Sequence, residues 1–249
     1  MPSARVVKEV ATQVAGTVMV ALPQLAPDKF SGWLLKLVDA AIDGAPGLPG
    51  AKSVAARQLQ RRQDAEDAID SLTHLHVGLA SAQGFVTNVG GGLAALVGVP
   101  ANLAGVVIVQ CRLAAAIAHL HGYDVDDPRV RAAVVMCLLG NRRLDQEIAA
   151  GVLPGRPQVV ATAPVHDAAL ASAIAGQVLQ EVLTALGGKD LAGIVLRKVP
   201  LVGGGVGAAV DAYTTTQVAR CARRELVSRR PATADAGPAT TDAGPAEAD

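Results

Sequence analysis

No Asp, Glu, Lys or Arg occurs in residues 71–111. An uncharged run of that length has little to offer water, so its apolar side chains end in a protein core or in lipid. Residues 93–111 alone approach the ~20 apolar residues a helix needs to cross a bilayer. Glycines at 90–92 and 98 and Pro100 interrupt the run, Asn102 lies within it, and Arg112 follows while the pattern is still apolar. A break at Pro100 leaves two shorter apolar pieces. They suit a buried hairpin, a segment inserted into or lying on a membrane, or a true span, and all three stay open at this level.

Composition narrows the fold class. The chain is 51% hydrophobic but only 2% aromatic, with 26 glycines in 249 residues. Such apolar content excludes a disordered chain. The scarcity of aromatics and abundance of Ala and Gly argue against a sandwich or barrel. The sequence predicts an all-α protein: a compact Ala/Gly-rich multi-helix bundle with a glycine-interrupted apolar helical hairpin. Gly203 and Gly207 form a small-residue step that suits close helix packing.

Charges balance at 22 basic and 22 acidic residues, so no global field draws the chain to nucleic acid. Residues 231–249 hold Asp235, Asp242, Glu247 and Asp249 and no base, within a near-tandem heptapeptide of Ala, Thr, Gly and Pro. We read them as a disordered acidic tail on a domain of residues 1–230, in which N-terminal helices (1–45) pack on a core of residues 51–230. Cys111, Cys137 and Cys221 lie far apart without C-x-x-C spacing, which predicts reduced thiols in a cytoplasmic chain and no zinc site.

Near the start, Arg5 and Lys8 lead into an uncharged stretch that superficially resembles a secretory leader. Val6, Val10, Val14 and Val18 recur every four residues, and no A-x-A site follows. That periodicity predicts an amphipathic helix packed on the domain. Further helices are expected over 28–42, then a loop over 44–50, then one long charged helix from Lys52 with Ala65, Ala68, Ile69, Leu72, Leu75 and Leu79 inward. Asp127 reads as the N-cap of a helix opening at Pro128 and closed by Gly140. A loop over 151–164, a helix over 165–186 and a last helix after Pro200 complete the chain.

Candidate chemistry is sparse. Asn102, Arg112 and His119 share one stripe of an apolar helix, and Asp211 is the one charge between Lys198 and Arg220. A guanidinium in such a setting needs water, a carboxylate or an anionic ligand, so Arg112 is expected to pair with Asp211 inside the domain. His121, Tyr123, Asp124 and Asp127 gather polar groups at a helix end, but Gly122 reads as a C-cap and Asp127 as an N-cap, which favours a structural role over metal or catalysis. No nucleophile elbow and no phosphate loop is present, so no catalytic residue, metal or cofactor is assigned.

Residues Gly90–Gly91–Gly92–Leu93, then Val99–Pro100–Ala101–Asn102–Leu103, then His121–Gly122–Tyr123–Asp124 with Asp127–Pro128, resemble the EcsC family in order and spacing. So does the ending Lys198–Val199–Pro200–Leu201–Val202–Gly203 with Gly207, Asp211, Ala219 and Ala222. Asn102 stands where that family often carries an acid, and Asp211 where Asn is common. The resemblance implies a bacterial, membrane-adjacent cytoplasmic setting beside transport or secretion machinery, and it supplies no catalytic residues.

The expectation is therefore a non-enzymatic helical protein peripheral to the inner membrane, with residues 84–111 contacting acyl chains or a membrane complex. The alternatives are an integral membrane protein, a soluble carrier that holds a lipid or fatty acid by Arg112 and His119, and a hydrolase using His119, His121 and Asp124. Oligomeric state is not fixed by the sequence.

Overall fold

The computed structural model describes residues 27–45, 47–81, 101–187 and 205–230. The expected N-terminal amphipathic helix, the hairpin residues 82–100, Gly203 and the acidic tail lie outside them. The described chain is all-α apart from one pair of two-residue strands.

Helix α1 (Pro27–Asp43) buries Leu34, Leu37, Val38 and Ala41 on one face. The expected loop after it is a tight antiparallel pair, β1 (Gly44–Ala45) against β2 (Leu48–Pro49). Glycine is needed where the chain doubles back. A Cβ on Gly50 would lie 2.4 Å from the Ile42 carbonyl oxygen, and Gly44 has φ +93°.

The single charged helix expected from Lys52 is two helices, α2 (Ala51–Arg62) and α3 (Ala65–Ser81). Gln63 turns left-handed at φ 63°, and Asp64 Oδ1 accepts from the Glu66 and Asp67 amides at 2.8 and 3.0 Å. Ala68, Ile69, Leu72, His76 and Ala80 face inward, while Leu75, expected inward at i+3 from Leu72, is 43% exposed and His76 at i+4 takes its place.

Helix α4 (Ala101–Leu120) is the axis of the bundle. From Ala104 to Leu120 every residue is buried except His119, because α1, α2, α3 and two helices from later in the chain surround it. A helix apolar all round belongs in such a place. Gly122, at φ +86°, closes it, and the Tyr123 amide returns to the Ala118 carbonyl at 3.0 Å.

Helix α5 (Pro128–Cys137) opens as expected, with the Asp127 side chain accepting from the Arg129 amide. Arg131 on α5 reaches Asp39 and Asp43, tying it to the end of α1. Gly140, at φ +67°, both ends the turn after α5 and starts α6 (Gly140–Ala149). The expected loop over 151–164 contains a short helix, α7 (Pro157–Ala161). Helices α8 (Ala168–Gly187) and α9 (Gly205–Glu225) follow.

Three helices form the inner sheaf. His76 meets Arg112 while Glu66 meets His121, so α3 and α4 run antiparallel. Gln110 meets Thr214 while His121 meets Leu226, so α9 runs parallel to α4.

Candidate functional site

Arg112 is 2% exposed at the middle of the bundle. Its Nε donates to His76 Nε2 at 3.1 Å and its Nη1 to the Pro49 carbonyl at 3.4 Å. The His76 ring is fixed from its other side, where Nδ1–H donates to the Leu72 carbonyl at 2.8 Å. That bond assigns the tautomer and leaves Nε2 as an acceptor. Burial and then the Arg112 charge push the His76 pKa down to about 4, so the ring is neutral at physiological pH. Burial alone pulls Arg112 down to about 10, and it stays charged.

The expected Arg112–Asp211 ion pair does not form. Gln110 points to α9, where it donates to Thr214 Oγ1 at 3.0 Å. Arg112 lies two residues, about 200° of helix, further round and faces α3 and β2 instead. Asp211 is partly buried with no hydrogen bond or ion pair from its carboxylate among the described residues, and burial raises its pKa to about 6. Asn102 lies in the first turn of α4, and its side chain is outside the described part.

The polar run at the end of α4 is structural. His121 is buried between the Leu226 carbonyl at Nδ1 and Glu66 Oε1 at Nε2, the latter at 3.3 Å. Tyr123 is 2% exposed beneath Arg229, whose guanidinium carbon lies 5.3 Å from the ring centroid. Asp124 Oδ1 accepts from the Asp126 amide, and Asp127 caps α5 and binds Arg129. His119 is half-buried, and burial, then Arg230, lowers its pKa. Of the groups expected to serve a hydrolase, His121 and Asp124 are thus engaged in separate structural contacts.

The cysteines are equally committed to the core. All three are fully buried. Burial pushes the Cys111 thiol up to about 12, and the neighbouring Cys221 thiol, then burial, holds Cys137 well above the usual range. Thiols held protonated in this way are poor nucleophiles and poor metal ligands. Close to them Glu225, with 3% of its side chain exposed, accepts from Arg224 at 2.7 Å and Arg156 at 2.8 Å, and Asp145 binds the same two arginines.

A feature the sequence reading missed is an apolar groove of about 130 Å³ between α5, α7 and α8. Ala132, Val160, Ala171 and Ile174 line its floor, and Arg129 and His166 stand at its rim. Around it Val159 is 62%, Val165 75% and Leu170 38% exposed. The signal was present in Val159, a large aliphatic that the expected loop over 151–164 has no reason to keep in water. By contrast, residues 104–111, expected to contact acyl chains, are buried in the bundle.

The model of the EcsC protein family matches residues 3–230, a stretch that contains every described element. No curated protein and no solved structure matches the chain.

Proposed function

The chain belongs to the EcsC protein family, and on that premise we propose that it is a non-enzymatic helical protein that works at the cytoplasmic surface of a membrane, touching lipid or a membrane complex through the α5–α7–α8 corner. The observation that carries this reading is the apolar groove with Val159, Val165 and Leu170 standing exposed around it. Elsewhere the surface is laced with ion pairs such as Lys52–Asp126 and Arg223–Asp70, whereas this corner presents aliphatic groups to solvent. Among the described residues no helix is long and apolar enough to cross a membrane, and the reading needs none.

The carrier reading is less well supported. Its head-group residue Arg112 is engaged by His76, and the groove is well below the ~300 Å³ at which small-molecule pockets begin.

Co-sedimentation with phosphatidylcholine–phosphatidylglycerol vesicles tests the proposal. The full chain should bind, and Val159→Asp with Val165→Asp should reduce binding about tenfold while the helical circular dichroism is unchanged. A chain that stays in the supernatant at low salt, or a double variant that binds as well as the parent, would overturn it.

A further inference from the structure

We propose that His121 is a proton-operated clasp. As an imidazolium it ties the start of α3 and the chain that follows α9 to the end of α4, and as a neutral imidazole it lets that chain loosen. The proposal is independent of the membrane reading.

What the clasp holds is a strap. After α9, residues 226–230 run without helix or strand across the end of α4. Leu226 is fully buried, and the residues after it are exposed. The strap passes directly over Gly122, where a Cβ would lie 3.3 Å from Arg230 Cγ. Its polar hold on this end of α4 converges on His121. The Arg229 amide donates to the His121 carbonyl at 2.8 Å, and the Leu226 carbonyl meets His121 Nδ1. Beside them the Arg229 guanidinium covers the Tyr123 ring.

The other side of the imidazole faces α3. His121 Nε2 lies 3.3 Å from Glu66 Oε1, and the second oxygen of that carboxylate accepts from Arg223 of α9 at 2.6 Å. Arg223 also binds Asp70, one turn along α3. A carbonyl oxygen and a carboxylate are both acceptors, and neither can donate. The ring serves both only with a proton on each nitrogen. In the neutral form it carries one N–H, so one acceptor then faces a nitrogen lone pair. His76 is the counter-example within the same bundle. Its Nε2 faces a guanidinium donor, and its neutral form satisfies both partners.

The acceptor geometry carries this inference rather than net charge. Glu66 and Asp70 on α3 are matched nearby by Arg223 on α9 and by Arg229 and Arg230 on the strap. Histidine exchanges its two forms near neutral pH. When the ring gives one proton to solvent, one hydrogen bond is lost and the other loses its charge assistance. The closed clasp therefore keeps a proton that the open one gives up, so the strap is held on the acid side and loosens as pH rises.

The test uses the full chain, isotope-labelled for NMR. Ring nitrogen spectra should find His121 doubly protonated at about pH 6 and singly protonated at about pH 8. Between the two, protection of the Arg229 amide from hydrogen exchange, corrected for its intrinsic rate, should fall about tenfold. Glu66→Gln, at a side chain 57% exposed, supplies a group that can also donate to a neutral ring, so its strap should stay closed at both values. His119→Gln removes the other imidazole near Arg230 and should leave the fall unchanged. A singly protonated ring at about pH 6, or equal Arg229 protection at both values in the parent, overturns the proposal. So does a fall that persists in Glu66→Gln or disappears in His119→Gln.

Discussion

Arg112 Nε lies 3.1 Å from His76 Nε2, so a guanidinium only 2% exposed donates to a neutral imidazole at the centre of the bundle. A charge so placed is tolerated because its donors meet fixed acceptors: the ring on α3 and the Pro49 carbonyl of β2. The contact pins three parts of the chain together.

Removing that cation should cost stability in proportion to what it leaves behind. Arg112→Ala loses the hydrogen bonds and opens a cavity, and should lower the unfolding free energy by about 4 kcal/mol. Arg112→Met keeps most of the volume and should cost about 2 kcal/mol. Urea titrations of both variants check this, and an Arg112→Met variant as stable as the parent would mean that the guanidinium contributes little beyond its size.

The neutral His76 makes the fold sensitive to acid. Its folded pKa of about 4 lies below the unfolded value near 6.5, so the unfolded chain binds the proton first as pH falls. Stability from this residue is complete above pH 6.5 and is lost on the way down to about 4, up to about 3 kcal/mol. Melting curves of the parent should fall across that window, and those of His76→Gln should fall less.

Asp211 works in the opposite sense over an overlapping window. Its pKa is raised by burial to about 6, so the folded state prefers the protonated acid and loses stability as pH rises from about 4 to about 6. Because the side chain is only partly buried, Asp211→Asn should stabilise by about 1 kcal/mol at pH 7.5, and by close to nothing at pH 4. A variant that is no more stable at pH 7.5 would place the carboxylate in water.

The turn that presents the Pro49 carbonyl depends on Gly50. A Cβ there would meet the Ile42 oxygen at 2.4 Å and the Asp43 carbonyl carbon at 2.7 Å, both backbone atoms that cannot step aside. Gly50→Ala should cost more than about 3 kcal/mol. Gly47→Ala, at φ +77° with nothing within 4 Å, should cost about 1 kcal/mol. Thermal denaturation of the pair separates close approach from backbone strain.

Much of this architecture was legible where local chemistry dictates it. Asp127 and Pro128 marked the start of α5, Gly122 the end of α4, and the bounds of α1 followed from its flanking Pro27 and Gly44. The break between α2 and α3 was not, because a left-handed Gln63 carries no sequence signal, although the run Asp64, Glu66, Asp67 did. Within α3 the expected stripe stepped from Leu72 to Leu75 rather than to His76, which put Leu75 inside and hid a partner of Arg112. Pairing Arg112 with Asp211 relied on isolation along the sequence, whereas the direction each side chain takes is set by helical phase. The groove escaped because Val159 sits among prolines and glycines that read as a loop, and Val165 read as the start of the next helix.

Since α4 has almost no wetted side, it cannot fray away from its neighbours one turn at a time without baring an oily rod. Its amides should therefore exchange with deuterium only when the whole bundle comes apart, making it the last part of the molecule to yield and the slowest clock by which its opening is measured.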